Sequence, residues 1–425
     1  MPDRYKFDQA PVEFDQDRAA DSVFAWEMTV LSSRTVPESA PVPVPASVVA
    51  TDAQQTNDAV DLARRLLAVS LADESKRERR RRERLGRLLA DHHGRELILS
   101  LTDEVLRLDS PAVAAKRFAE LVREHPTREM GPIDGLMLRA GALVAPRLSG
   151  IVMPLVVRRI RAETSGIVLR TDEPIFGQHL ARRADEGVRL NVNPLGEAIL
   201  SDAEADERLA TVLAKVERVD VDYVSVKVSA IVANLDVLAF DDSVRRVTDR
   251  LRTLYRAAGA ATPTTFVNLD MEEFRDLDLT IDAFIAVLSE PEFATVDAGI
   301  VLQAYLPDSH GAAERLGGWA AQRRSEGGGT VKVRLVKGAN LAMESAEAEL
   351  RGWVAAPYGN KADVDASYKR LLDSLLRPDW AEAIRIGVAS HNLFDIAWAM
   401  IQIDKAGAHD RVVFEMLEGM APAQA

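Results

Sequence analysis

Side chains that can carry charge or direct a hydrogen bond recur near the downstream ends of successive apolar runs. They are Lys227, Asp270, Gln303, Arg334, His391 and Glu415, with Lys337 and Asn392 just beyond two such ends. Burying a charged group is costly unless it finds a partner, so intrusions repeated at one place in each run mark a site. Arg334 and Lys337 suit a phosphate or an electron-rich ring, and Lys227 suits a carboxylate. Lys227 and Asp270 come from successive runs and are placed to pair. Gly338, which follows Lys337, permits a close backbone approach because it lacks a Cβ. His391 has no second histidine at ligand spacing, so no metal site is expected. Residue types alone leave two enzyme readings, a Schiff-base lysine aldolase or lyase using Lys227 or Lys337 and a cofactor-dependent redox enzyme. A non-catalytic barrel scaffold or regulator is the third reading.

The elements that must position these residues show in the parity of each run. Val224, Val226 and Val228 share one strand face, and Ser225, Lys227 and Ser229 the other. The same alternation sets Asn191 and Asn193 against Leu190 and Val192, and Asn268 and Asp270 against Val267 and Leu269. Gln303 opposes Leu302, and Arg334 opposes Val333 and Leu335. Strands buried on both faces read as continuous Val/Ile/Leu, so the polar parity must face something other than a dry core. The runs centre near Val192, Val226, Val267, Leu302, Val333, Ile386 and Val413. Helical patterns such as Ala205–Val216, Ser243–Ala257 and Asp365–Leu376 lie between them.

This βα alternation predicts an α/β fold, a (βα)8 TIM-type barrel, because the candidate residues end every strand rather than one switch point. No eighth strand precedes Ala425. The barrel is therefore expected to lack its eighth βα unit, leaving its first and last strand edges unpaired. Residues 1–56 read as an acidic segment and a flexible linker containing Pro37, Pro41, Pro43 and Pro45. Residues 57–184 read as a helical arm and 185–425 as the barrel domain.

The net charge of −13 disfavours nucleic acid as a partner. The basic run Lys76–Arg84 reads as the solvated face of a helix. The absence of cysteine excludes disulfides, thiolate nucleophiles and cysteine-ligated clusters. The apolar stretch Leu148–Val157 is too short to span a membrane and contains Pro154. The N-terminus has no apolar core of a secretory signal. A cytoplasmic protein is expected, with peripheral contact to the inner face of the cell membrane.

Six segments carry a family resemblance: Val224–Ala230 (VSVKVSA), Asn268–Asp276 (NLDMEEFRD), Gly299–Tyr305 (GIVLQAY), Val333–Ala339 (VRLVKGA), Ser390–Asn392 (SHN) and Glu415–Met420 (EMLEGM). In order and spacing they resemble the proline dehydrogenase domain of bifunctional proline utilisation A flavoproteins. The resemblance implies a distorted (βα)8 barrel that binds FAD, oxidises L-proline to pyrroline-5-carboxylate and passes electrons to membrane quinone. It assigns Lys227 to the proline carboxylate, Asp270 to the position beside it and Arg334 to flavin N5. It gives flavin contacts to Val301, Gln303, Val336, Lys337, Gly338 and Ala339, and further cofactor contacts to His391, Asn392, Glu415 and Leu417. Lys361 matches a lysine at the adenylate end of the cofactor. Where the family has Tyr after the Gly-Ala of this segment, this chain has Asn340, so the pocket wall differs there. The resemblance places two carboxylate-clamping arginines and a tyrosine past Ala425, followed by an aldehyde dehydrogenase domain.

Overall fold

The computed structural model describes residues 30–34, 52–74, 79, 80, 83, 92–105, 108, 110–126, 132–164, 173–193, 199, 201–271 and 273–418. The acidic start of the chain and most of the basic run lie outside these residues. The chain divides into two compact units, Met1–Val60 with Thr171–Leu417 and Asp61–Arg170 with Glu418–Ala425.

The first unit is a closed barrel. Strand β1 (Val30–Arg34) is followed by β2 (Arg189–Val192), β3 (Tyr223–Lys227), β4 (Phe266–Asp270), β5 (Ala298–Gln303), β6 (Val331–Val336), β7 (Ile384–Ala389) and β8 (Val412–Leu417). Strands β2 to β8 are parallel and neighbour one another in chain order. All seven contain the residues predicted to centre them.

The expected open edges are corrected by β1. It pairs antiparallel with β2, Leu31 opposite Asn191, and antiparallel with β8, Ser33 opposite Glu415. Residues 31–34, read as linker, are therefore strand, and 52–56, also read as linker, open helix α1 (Asp52–Asp73). The physical reason is ladder closure: edge strands with unpaired amides and carbonyls recruit whatever extended segment reaches them. Val30-Leu-Ser-Ser-Arg34 is free of proline, whereas the prolines that suggested a linker begin only at Pro37.

The apolar parity of the strands forms the layer under the barrel's helices. Val224, Val226, Val267, Leu269, Ile300, Leu302, Val333, Leu335, Ile386 and Val388 are all buried. Helix α8 (Phe240–Ala260) supplies a matching face, burying Val247, Leu251, Leu254, Tyr255 and Ala258 at helical spacing. Helix starts and stops follow local chemistry. Ser201 caps α7 (Asp202–Val216) by accepting from the Glu204 amide at 3.2 Å. Gly407 ends α13 (Leu393–Ala406) at φ 60°, which glycine adopts without strain.

The other helices of this unit are α6 (Ile175–Asp185), α9 (Leu277–Leu288), α10 (Ser309–Ser325), α11 (Leu341–Arg351) and α12 (Lys361–Leu375). Helix α6, counted above with the arm, belongs to the barrel unit. Its Phe176 ring receives the Lys215 ammonium at 4.6 Å and the Arg218 guanidinium at 5.0 Å.

The second unit is helical. It contains α2 (His92–Ser100), α3 (Pro111–Glu124), α4 (Pro132–Val144) and α5 (Ser149–Thr164). Pro111 opens α3 at a position where its missing amide hydrogen costs nothing. Phe118 and Leu121 of α3 pack with Leu97, Ala142, Ala145 and Met153 in one core. No described helix is long and apolar enough to cross a membrane.

Candidate active site

The polar parity of the strands points to the barrel axis, because its side chains meet across strands that are not neighbours. Arg334 of β6 is the hub and is 2 % exposed. Its Nε donates to Glu415 Oε2 of β8 at 2.7 Å, and its Nη2 donates to Tyr223 Oη of β3 at 2.6 Å. Its Nη1 donates to Asp270 Oδ1 of β4 at 2.9 Å and to Ser225 Oγ at 3.2 Å. Burial by itself would lower the Arg334 pKa, but Glu415, Tyr223 and Asp270 outweigh it and the value is raised. Glu415 is likewise fully buried. Desolvation pushes its carboxyl up, yet Arg334 and Lys332 together hold it below its ordinary value.

Glycines make room for this cluster. A Cβ on Gly387 would overlap the Glu415 carboxylate, and one on Gly299 would overlap the Asn268 side chain. Asp270 is further held by Asn193 Nδ2 at 2.8 Å and Asn268 Nδ2 at 2.9 Å. The expected Lys227–Asp270 pairing places the two residues opposite each other in the β3–β4 register. There Asp270 takes Arg334, and the Lys227 ammonium lies 4.0 Å from Glu273. Val301 and Gln303 of β5 are buried on the same parity as Arg334's strand partner position.

A second group forms at the strand ends of β6 and β7. The Lys337 ammonium meets Asp365 of α12 at 2.5 Å and Asp395 of α13 at 2.8 Å. Burial would lower the Lys337 pKa, but Asp395 and Asp365 reverse that and raise it. An ammonium held charged is a poor Schiff-base nucleophile, so the lyase reading loses one of its two lysines. Lys361 reaches the other oxygen of Asp365 at 2.9 Å, so the two lysines predicted near a cofactor converge on one carboxylate. Gly338 sits at φ 141°, and a Cβ there would overlap the Tyr305 ring. Val336 is half-buried at the end of β6, and Gly338 and Ala339 just beyond it are exposed.

His391 Nε2 accepts from the Leu417 amide at 2.9 Å, which fixes the neutral tautomer with its proton on Nδ1. Nδ1 is buried without a hydrogen-bond partner, and burial lowers the His391 pKa to about 4. Asn392 caps α13 by accepting from the Phe394 amide at 2.9 Å.

The structure thus brings Asp270, Arg334 and Glu415 into one network, Lys337 and Lys361 into another, and His391 and Leu417 into a third contact. Sequence reasoning passed over Tyr223 and Lys332, although each shares the parity of a residue that it singled out, Lys227 and Arg334 respectively. It also missed Asp365 and Asp395, which lie on helices and leave no alternation to detect. Among the described residues, no group of three or more metal-ligating side chains lies together.

These features fit a flavin on this chain's own chemistry. A buried imidazole donor stands without a partner, exposed backbone at Gly338 and Ala339 follows the end of β6, and a fixed cation lies at the mouth's floor. Residues 176–425 match the family model described as proline dehydrogenase. The chain belongs to the proline dehydrogenase family.

Within that family it is similar to the solved proline utilization A from Corynebacterium freiburgense. Identity is 45 % with a TM-score of 0.60, over 64 % of this chain and 28 % of that one. The fold is also that of proline utilization A from Bdellovibrio bacteriovorus inactivated by N-propargylglycine, at 24 % identity and TM-score 0.70 over 87 % of this chain and 38 % of that one. A Bradyrhizobium japonicum proline utilization A mutant matches at 21 % identity and TM-score 0.62, over 90 % and 40 %. This chain spans less than half the length of these proteins. No curated protein matches it.

Proposed function

We propose that the barrel mouth is an FAD-dependent proline dehydrogenase site, converting L-proline to pyrroline-5-carboxylate with a membrane quinone as the eventual electron acceptor. The observation that carries the reading is the position of Arg334, a fully buried guanidinium fixed by four hydrogen bonds at the floor of the mouth. A fixed cation aimed where negative charge develops is worth most in a site that excludes water. A bound flavin supplies the two-electron acceptor that no side chain here can provide.

This chain's residues do the rest. Lys227 holds the substrate carboxylate, with Asp270 beside it. Val301, Gln303, Val336, Gly338 and Ala339 seat the ring system, and His391 Nδ1 offers it a hydrogen bond. Asn392, Glu415 and Leu417 complete the cofactor's surroundings. Lys337 and Lys361 face the phosphate end and would exchange Asp365 for it. The substrate amine must be neutral before its adjacent carbon is oxidised. The electron-accepting quinone, the cytoplasmic placement with peripheral membrane contact, and a C-terminal aldehyde dehydrogenase domain in the full protein all belong to this proposal.

The test is the absorption spectrum of the complete protein. A flavin band near ~450 nm, typical of the cofactor itself, should bleach on adding proline without oxygen. A colourless protein that stays inactive with added FAD refutes the reading. A lysine trapped by borohydride in the presence of a carbonyl substrate favours the lyase instead.

A further inference from the structure

Below Arg334, on the same inward face of β6, lies a second buried cation. Lys332 is two residues earlier and 9 % exposed. Its ammonium pairs with Glu415 Oε1, while Arg334 takes Oε2, so the two cations divide one carboxylate between them. The Lys332 ammonium also lies 3.3 Å from Tyr223 Oη and 4.8 Å from that ring's centroid. Tyr223 Oη therefore touches both cations. Gly387 of the intervening strand leaves the gap that this pairing crosses, since a Cβ there would overlap Glu415 Oε1 and crowd Lys332 Cε. The surrounding charges close the set: Lys332 and Arg334 against Glu415 and Asp270, with Arg189 outside it paired to Asp222 at 2.9 Å. The buried cluster is formally neutral.

We propose that Lys332 and Tyr223 are positioning residues for the redox centre: Lys332 keeps the cluster beneath the cofactor neutral, and the two together fix the plane of the Arg334 guanidinium. This inference rests on the proposed flavin site. Lys332 touches neither substrate nor cofactor. Removing it leaves Glu415 and Asp270 against Arg334 alone, a net negative charge under a group that gains negative charge on reduction. Tyr223 carries no charge, and burial holds its phenol well above the ordinary range. Its loss frees the guanidinium without altering the charge sum. The two substitutions should therefore separate potential from rate.

The experiment is the anaerobic midpoint potential of the flavin in the complete, FAD-loaded protein, read against a reference dye. Lys332→Met should disfavour two-electron reduction about tenfold, a fall of about 30 mV. Lys332→Arg should restore the parent value. Lys332→Met combined with Glu415→Gln removes one charge of each sign and should return the potential towards the parent, whereas a merely structural role would move it no nearer. Tyr223→Phe should leave the potential in place and slow flavin reduction by proline several-fold at unchanged KM.

A parent-like potential in Lys332→Met, or a double variant displaced further than the single one, overturns the inference while leaving the flavin site standing. A parent protein that takes up no flavin overturns both. Should Lys332→Met lose its flavin, the double variant decides: recovered flavin at a parent-like potential supports the inference, and no recovery overturns it.

Discussion

Replacing Arg334 by methionine tests stability and catalysis at one atom set. Methionine fills a similar volume but cannot donate, so Glu415, Asp270, Ser225 and Tyr223 each lose a partner. Removing one member of a buried ion pair costs about 3–5 kcal/mol, most of it for the charge left behind. Here the remaining charges are not bare. Glu415 keeps Lys332, and Asp270 keeps the amides of Asn193 and Asn268. The lower end, about 3 kcal/mol, is therefore expected in denaturant unfolding at neutral pH. The chemical step should suffer separately. Losing a preorganised charge-stabilising donor slows related reactions by roughly 10²-fold, about 2.7 kcal/mol of barrier. Stopped-flow reduction of the flavin-loaded variant by proline, read at saturating proline, isolates that loss from any loss of binding. A variant that retains flavin, unfolds at the parent's midpoint and is reduced at the parent's rate would show that Arg334 is neither the hub nor the charge-stabilising group.

Further outcomes follow from other parts of the site. Gly338→Ala forces a side chain into a backbone at φ 141° and against Tyr305, so it should cost roughly 1–3 kcal/mol and weaken flavin retention, measured by denaturation and by flavin release on dialysis. His391, depressed to about 4 from an unfolded value near 6.5, stays neutral in the folded state while the unfolded chain takes up a proton. Its contribution to stability is full above pH 6.5 and is lost as pH falls towards 4. By pH 5 the loss is about 2 kcal/mol, and His391→Asn should remove that share of the pH slope. Asp276, raised to about 6 chiefly by burial, acts in the opposite sense, its destabilisation fading as pH falls through 6. Asp276→Asn should therefore steepen the acid loss, and unfolding curves at pH 7.5 and 5 would show it. Gly387→Ala, which would overlap Glu415, should destabilise the barrel and shift the flavin spectrum, and an unchanged spectrum and unfolding midpoint would argue against the tight interior.

What the sequence made legible was whatever repeats. Strand parity announced both faces of each strand, so the apolar layer at Val224, Val267, Val333 and Ile386 and the inward Ser225, Asn268, Arg334 and Glu415 are all legible in the alternation. Parity names a face and not a partner. It could not tell that Asp270 takes Arg334 from two strands away, because that contact depends on reach across the intervening β5. Asp365 and Asp395 were invisible for a related reason: each is one acidic residue among several on a helix, and only the tertiary approach of Lys337 distinguishes it. Strand β1 was missed because the prolines from Pro37 onward dominate their neighbourhood.

Arginine makes the same point about partners in a sharper form. Arg323 and Arg411 are as buried as several site residues and sit in the same kind of βα unit as Arg334. Arg323 donates to the carbonyls of Leu288, Phe293, Val296 and Gly329, at 3.2, 2.9, 2.9 and 2.6 Å. Arg411 donates to the carbonyls of Leu375 and Leu376 at 3.1 and 2.7 Å. Both stitch the turns that feed the upstream ends of strands, satisfying carbonyls that helix ends leave open. Backbone dipoles cannot neutralise a full charge as a carboxylate does, and burial lowers the pKa of both residues while that of Arg334 is raised. A cation held by carbonyls has its donors spent on the chain's own turns. A cation held by carboxylates, at the downstream end of the strands, belongs to a charge-balanced cluster that responds when a new charge appears above it. On that ground Arg334, and neither of the other two, is the arginine whose surroundings are arranged for chemistry.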